Sequence, residues 1–199
     1  MEETLQKIQA YADQAHGDQT RKYSAERFIH HPIRVMEMCR QYTDDPAVLA
    51  AALLHDVLED TPVTKAELQA FLLTVMDPPT ALKTVQLVEE LTDVYLKEKY
   101  PYWNRRQRKT REAARIAKTS GSSQTVKYAD IIDNCSGLLA NDPEFAPTFL
   151  RECSDLLKRI PSGDRRLYQR ARDSVAACLL QAGTPSKRGQ NNRWKRKKP

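Results

Sequence analysis

The stretch AALLHDVLEDT, Ala51 to Thr61, sets His55 and three carboxylates, Asp56, Glu59 and Asp60, directly behind an apolar run. Read as one continuous helix, it makes neighbours of Asp56, Glu59 and Asp60, and of His55 and Glu59, because residues three and four apart share a face. Like charges so placed repel, and drawing them out of water costs more still. A divalent cation removes that cost, and an imidazole beside it suits Mn, Fe, Ni or Zn. His55 and Asp56 differ by about 100° around the helix and can reach one ion from either side. Two ligands do not complete a site. The segment FIHHPIRV supplies His31 at a helix start, and VKYADIIDNC supplies Asp130 inside another helix. A His, His, Asp, Asp set suits Mn or Fe and leaves positions open for water and phosphate. On residue types alone other readings stay open: His30 and His31 as surface residues beside a turn, Asp130 as a helix-face acid.

The elements that must carry these residues are helical. Glycine is scarce, at six residues in 199, and long stretches are rich in Ala, Leu, Glu, Arg and Lys. Leu5, Ile8, Ala12 and His16 recur at helical spacing. Pro32 suits a first turn, followed by an apolar face of Ile33, Val35, Met36 and Cys39. Asp45 and Pro46 open the segment that ends in the opening stretch, and its middle is apolar on every side, which predicts a central buried helix. Thr64 and Glu67 form a capping-box pattern. Leu82, Val85, Leu87, Val88 and Leu91 give the next helix its face. A basic segment is helical from about Asn104, SGSS reads as a break, and QTVKYADIIDNCSGLLA resumes as a helix ended by NDP. Two further helices follow, the last closed by Gly183. No alternation of strand type is convincing. The expected architecture is an all-α bundle of about eight or nine helices.

The net charge of +6 is not spread over the chain. Residues 184–199, TPSKRGQNNRWKRKKP, hold seven Lys or Arg and no acid, while the other 183 residues carry 25 basic and 26 acidic side chains. The expected organisation is a domain over 1–183 and a basic, disordered tail over 184–199 that touches RNA, acidic lipid or nothing. Cys39, Cys135, Cys153 and Cys178 form no C-x-x-C pair, which favours free thiols in a reducing compartment. The N-terminus has no apolar signal core, and no run nears the roughly 20 apolar residues that span a bilayer. A cytoplasmic protein is expected.

The order H…HD…D resembles the signature of HD-domain metal-dependent phosphohydrolases. The blocks HGDQTRKYSAERFIHHPIRV, AALLHDVLEDT, VEELTD and VKYADIIDN are similar, in order, to the hydrolase domain of RelA/SpoT-type proteins, above all the small stand-alone alarmone hydrolases. LLHDVLEDT is the tightest block, since it joins the HD pair to a narrower Glu-Asp pair. The resemblance implies an HD-domain helical bundle in which His31, His55, Asp56 and Asp130 bind one Mn²⁺. It implies that Glu59 and Asp60 flank the attacking water, that Arg21 and Lys22 contact the guanine nucleotide with Arg21 packed on the base, and that Asn134 lies near ribose and base. Arg105, Arg106 and Lys109 are looser candidates for phosphate contacts. The implied reaction is hydrolysis of guanosine tetra- or pentaphosphate at the 3′-diphosphate, returning GDP or GTP and pyrophosphate. Tyr23 stands where the family has a small or acidic residue, Phe28 where it commonly has Tyr, and Phe149 near the place of another family tyrosine. These departures bear on the purine pocket and leave the metal set intact. The chain is too short to hold a synthetase domain as well. Two alternatives are weighed: an HD phosphohydrolase of another nucleotide, including the 2′-phosphate of NADPH, and a non-catalytic helical module whose basic tail binds RNA.

Overall fold

The structure is a computed structural model that describes residues 1–21 and 24–183. The expectations for Lys22, Tyr23 and the 184–199 tail lie outside the described residues. Among the described residues ten helices follow one another: α1 Glu2–His16, α2 His30–Arg40, α3 Pro46–Leu54, α4 Val57–Asp60, α5 Lys65–Val75, α6 Pro78–Leu91, α7 Arg105–Ile116, α8 Gly121–Asn141, α9 Ala146–Leu157 and α10 Arg165–Gly183. The only extended pairing among the described residues is an isolated bridge between Thr20 and Arg27. No helix among them is long and apolar enough to cross a membrane.

At the centre lies α3, with every residue from Ala47 to Leu54 buried. Asp45 caps it by accepting from the Ala47 amide, and Pro46 occupies the first turn, where its missing N–H costs nothing. Helices α1, α2, α6 and α8 pack around it. Eight apolar residues with no solvated face lock the helix in place, and its C-terminus therefore delivers His55 to a fixed point. Thr64 and Asn104 start α5 and α7 with full capping boxes, the second with Gln107.

Three expectations are corrected. HDVLED does not continue α3: the chain turns at His55 and Asp56, and Val57–Asp60 forms a separate single turn. SGSS is not a gap, because Ser120 caps α8 and the helix starts at Gly121. Leu82 is half exposed, and Ala81 takes its place on the buried face of α6.

The turn before α10 is tightly filled. The Gly163 amide donates to the Tyr128 hydroxyl at 3.1 Å, and the Asp164 amide donates to Thr125 Oγ1 at 2.9 Å. A Cβ on Gly163 would stand 2.5 Å from Tyr128 Cε2 and 2.8 Å from the Thr125 amide nitrogen. Gly163→Ala is expected to cost about 1–3 kcal/mol through this overlap, read as a lowered urea midpoint with unchanged slope.

Candidate metal centre and adjoining pocket

Four side chains from three places converge. His31 comes from the first turn of α2, His55 and Asp56 from the turn after α3, and Asp130 from the middle of α8. Donor atoms of His31, His55 and Asp56 lie within 4.8 Å of one another. His31 Nε2 is 3.2 Å from Asp130 Oδ1 and 3.6 Å from Asp56 Oδ2. His55 Nε2 is 3.2 Å from Asp56 Oδ2 and 3.8 Å from Asp130 Oδ1.

The hydrogen bonds fix which imidazole nitrogens are bare. His55 Nδ1 meets the Ala52 carbonyl at 2.8 Å, and a carbonyl only accepts, so Nδ1 carries the hydrogen. His31 Nδ1 donates to Asp133 Oδ2 at 2.7 Å. Both Nε2 atoms are then lone pairs aimed at two carboxylates. His55 Nε2 is buried and has no hydrogen-bond partner among the described residues. Acceptors facing acceptors in a dry place need a cation between them, and the set of two nitrogens and two oxygens fits a divalent metal. The electrostatics agree. Burial opposes charge on His55, yet Asp56 and Asp130 outweigh it and push the imidazole up to about 9. A positive charge is wanted at that point, and a metal ion can stand where the proton would.

Asp133 and Lys127 hold the cluster from behind, and neither was singled out from the sequence. Burial would raise Asp133, but His31 and Arg34 draw it down to about 2. Arg34 Nε reaches Asp133 Oδ1 at 2.6 Å. This carboxylate orients the His31 ring as a partner behind a metal ligand does. Lys127 Nζ lies 2.9 Å from Asp130 Oδ2. Burial works against its charge, but Asp130 and Asp93 hold the amine protonated. Burial likewise works against the charge on Asp130, yet Lys127 holds that carboxyl well below the carboxylate range. Helical spacing from Asp130 was the available signal: Lys127 lies three residues before it, Asp133 three after and Asn134 four after. Asp133→Ala is expected to weaken metal affinity about 10- to 100-fold, measured by competition with a chelator.

The acids of α4 stand beside the cluster. Glu59 Oε2 accepts from the Asp93 amide at 2.8 Å. Burial, then the neighbouring Asp93 and Asp56, push the Glu59 carboxyl up to about 7. Asp60 is also raised, by burial and by Asp56.

Two chambers adjoin this centre and share Asn134 and Phe149. The inner one, about 120 Å³, is walled by Lys109, Lys127, Asp130, Asp93 and Glu152 among others. The outer one, about 460 Å³, is walled by Arg21, Phe28, Arg105, Phe145 and their neighbours. Arg21 Nη2 donates to Asn134 Oδ1 at 2.5 Å, and Asn134 Nδ2 donates to Asp130 Oδ1 at 2.5 Å, so the outer chamber is wired to the cluster. Lys109 reaches Asp93 at 2.9 Å on the inner wall. Arg105 pairs with Glu152 at 2.7 Å and lies 4.8 Å from the Phe145 ring centre. Arg106 lines a separate surface groove with Trp103 and Arg111. The structure therefore brings Arg21, Asn134, Arg105 and Lys109 to the chambers and places Arg106 elsewhere.

The family model for the HD domain matches residues 9–156. Among curated relatives, the guanosine-3′,5′-bis(diphosphate) 3′-pyrophosphohydrolase of Spiroplasma citri is 32% identical over 161 residues, covering 78% of this chain and 20% of the relative. The probable guanosine-3′,5′-bis(diphosphate) 3′-pyrophosphohydrolase of Synechocystis sp. is 29% identical over 149 residues, covering 73% of this chain and 18% of the relative. In the protein of the same function from Vibrio cholerae, 44% identity extends over 68 residues, 34% of this chain and 10% of the relative. The chain spans about a fifth or less of the length of the curated relatives it matches. A solved structure, described as that of a metazoan ortholog of SpoT that hydrolyses ppGpp and plays a role in starvation responses, superposes with a TM-score of 0.72. That likeness, at 24% identity over 90% of this chain and 96% of the other, shows the same helical fold.

Proposed function

Because this chain belongs to the HD-domain family, we propose that it is a metal-dependent guanosine-3′,5′-bis(diphosphate) 3′-pyrophosphohydrolase. The observation that carries the reading is the meeting of two bare imidazole nitrogens and two carboxylates beside a pair of raised acids, at the edge of a pocket lined with Arg, Lys and Phe. The names of the relatives supply the nucleotide. His31, His55, Asp56 and Asp130 hold one cation, and the mixed nitrogen and oxygen donors suit Mn²⁺. A bound divalent ion supplies Lewis acidity, which lowers the pKa of a coordinated water and offsets charge on the phosphoryl oxygens.

The chain's own residues do the rest. Glu59, raised to about 7, takes the proton of the attacking water near neutral pH. Asp60 orients that water. Water oxygen bonds to the phosphorus attached to the ribose O3′, the P–O3′ bond breaks, and a proton ends on the 3′-hydroxyl. The products are GDP, or GTP from the pentaphosphate, and pyrophosphate. The guanidinium of Arg21 packs on the flat base, within reach of Phe28, whose ring centre is 5.6 Å away. Asn134 contacts the nucleoside, and Lys22 assists Arg21. Arg105 and Lys109, each now holding a carboxylate, exchange it for phosphate oxygens when the nucleotide enters. Residues 1–183 form the catalytic domain of a cytoplasmic protein, and 184–199 a basic tail outside the reaction.

A panel of ppGpp, pppGpp, GTP and NADPH, each incubated with Mn²⁺-loaded protein, tests the proposal. Pyrophosphate with GDP from ppGpp is expected. Orthophosphate from NADPH or another nucleotide, with ppGpp intact, would move the chain to a different HD phosphohydrolase.

A further inference from the structure

Glu112 is the one charged side chain of α7 that is buried, and it is 3% exposed. A carboxylate is costly to bury unless the donors it needs are at hand. Glu112 Oε2 accepts from the Val94 amide and from the Tyr95 amide, each at 3.0 Å. Its Oε1 accepts from Nε of Arg115, three residues on and on the same face. Arg115 in turn donates through Nη1 to the Glu90 carbonyl at 2.9 Å and through Nη2 to the Thr92 carbonyl at 3.0 Å. The end of α6 leaves such carbonyls without partners inside the helix, and one guanidinium satisfies two of them. The pair thus grips the chain on both sides of Asp93, by carbonyls before it and by amides after it.

Asp93 is the residue so held. Its amide donates to Glu59 Oε2 at 2.8 Å, and its carboxylate accepts from Lys109 at 2.9 Å. The Asp93 amide is the only hydrogen-bond partner of the Glu59 carboxyl among the described residues. A single bond therefore orients the group that must meet the attacking water. Glu112 also borders the inner chamber, but its two oxygens are already engaged by three donors.

We propose that Glu112 is a positioning residue: with Arg115 it clamps the Glu90–Tyr95 corner, so that the Asp93 amide fixes one oxygen of Glu59 and leaves the other to take the proton of the attacking water. The inference rests on the hydrolase reading above for its kinetic consequence, but not for its geometry.

Substitution separates this role from packing. Glu112→Ala removes the acceptor of both amides and the partner of Arg115. Glu112→Gln keeps an oxygen for the amides and gives up the charge that faces Arg115. In pyrophosphate release from ppGpp, the Ala variant is expected to lose about 10- to 100-fold in kcat, at unchanged metal content and a KM that does not rise. The Gln variant should stay within about fivefold of wild type. The decisive comparison is made in a Glu59→Gln background, where the proton acceptor is already gone. There Glu112→Ala should cost less than about twofold more, because the two side chains act in one chain of contacts. The same factor in both backgrounds, or an Ala variant as fast as wild type, overturns the proposal.

Amide hydrogen exchange of Mn²⁺-loaded protein, resolved to single residues by mass spectrometry, tests the geometry without turnover. In Glu112→Ala the Asp93, Val94 and Tyr95 amides should exchange at least about tenfold faster than in wild type. The Thr92 amide, bonded to the Val88 carbonyl at 3.0 Å, should keep its rate. Asp93 exchanging at the wild-type rate, or Thr92 accelerated as much as Asp93, overturns the proposal. Wild-type protein inert toward ppGpp would sink the hydrolase reading, and the exchange rates would still decide whether Glu112 holds Asp93.

Discussion

Asp56→Ala is expected to remove the bound metal and the turnover together. Asp56 Oδ2 lies 3.2 Å from His55 Nε2 and 3.6 Å from His31 Nε2, so it faces both bare nitrogens at once. Without it the cluster keeps one carboxylate, Asp130, already claimed by Lys127 and Asn134. Loss of a partner behind a ligand costs about 10- to 100-fold in affinity, and loss of a ligand costs more. Metal content by atomic emission should fall from one ion per chain to near none, and kcat/KM by more than about 100-fold. The fold should survive. In the metal-free protein Asp56 repels Glu59 and Asp60 but attracts protonated His55 and Lys127, so the two effects offset. The metal-free variant should therefore melt close to the metal-free wild type. A variant that binds metal normally and turns over would remove Asp56 from the ligand set.

Glu59→Gln should do the reverse: keep the metal and stop the chemistry. Its amide oxygen can still accept from the Asp93 amide, so the turn holds. It cannot take a proton from water. A fall of about 10²- to 10⁴-fold in kcat is expected. In the metal-loaded wild type, kcat should rise with pH as the Glu59 carboxyl gives up its proton, below the value of about 7 that burial, Asp93 and Asp56 set in the metal-free protein, and this limb should vanish in the variant. Stability carries the same signature. Burial, then Asp93 and Asp56, raise Glu59 from 4.5 to about 7, so the fold favours the protonated form. That contribution is complete below about pH 4.5 and is lost as pH rises through about 7. Metal-free Glu59→Gln escapes the loss, and should gain on wild type between pH 5 and 8 by up to about 3 kcal/mol. Denaturant titrations at pH 5 and 8 read the difference. Equal offsets at both pH values would contradict the raised carboxyl.

The helices were legible because their signals are local. Asp45-Pro46 and Thr64 with Glu67 announce their helix starts through single side chains that satisfy free amides. The apolar run of α3 could only be a buried centre. The four candidate ligands were legible as a set of residue types and a resemblance. Their convergence is a tertiary fact that spacing along the chain does not contain. The break at His55 and Asp56 was not legible. A helix and a helix followed by a turn share one apolar pattern, and the difference lies in where the His55 ring finds its bond to the Ala52 carbonyl. Asp133 was hidden for another reason. An acid on a helix face is ordinary, and only the fold shows it locked between His31 and Arg34.

The most direct test is a crystal structure of Mn²⁺-soaked protein with anomalous data collected at the manganese edge. One strong peak per chain is expected, in bonding contact with His31 Nε2, His55 Nε2, Asp56 and Asp130. No peak there, or a peak held by other side chains while these four stay bonded among themselves, would contradict it.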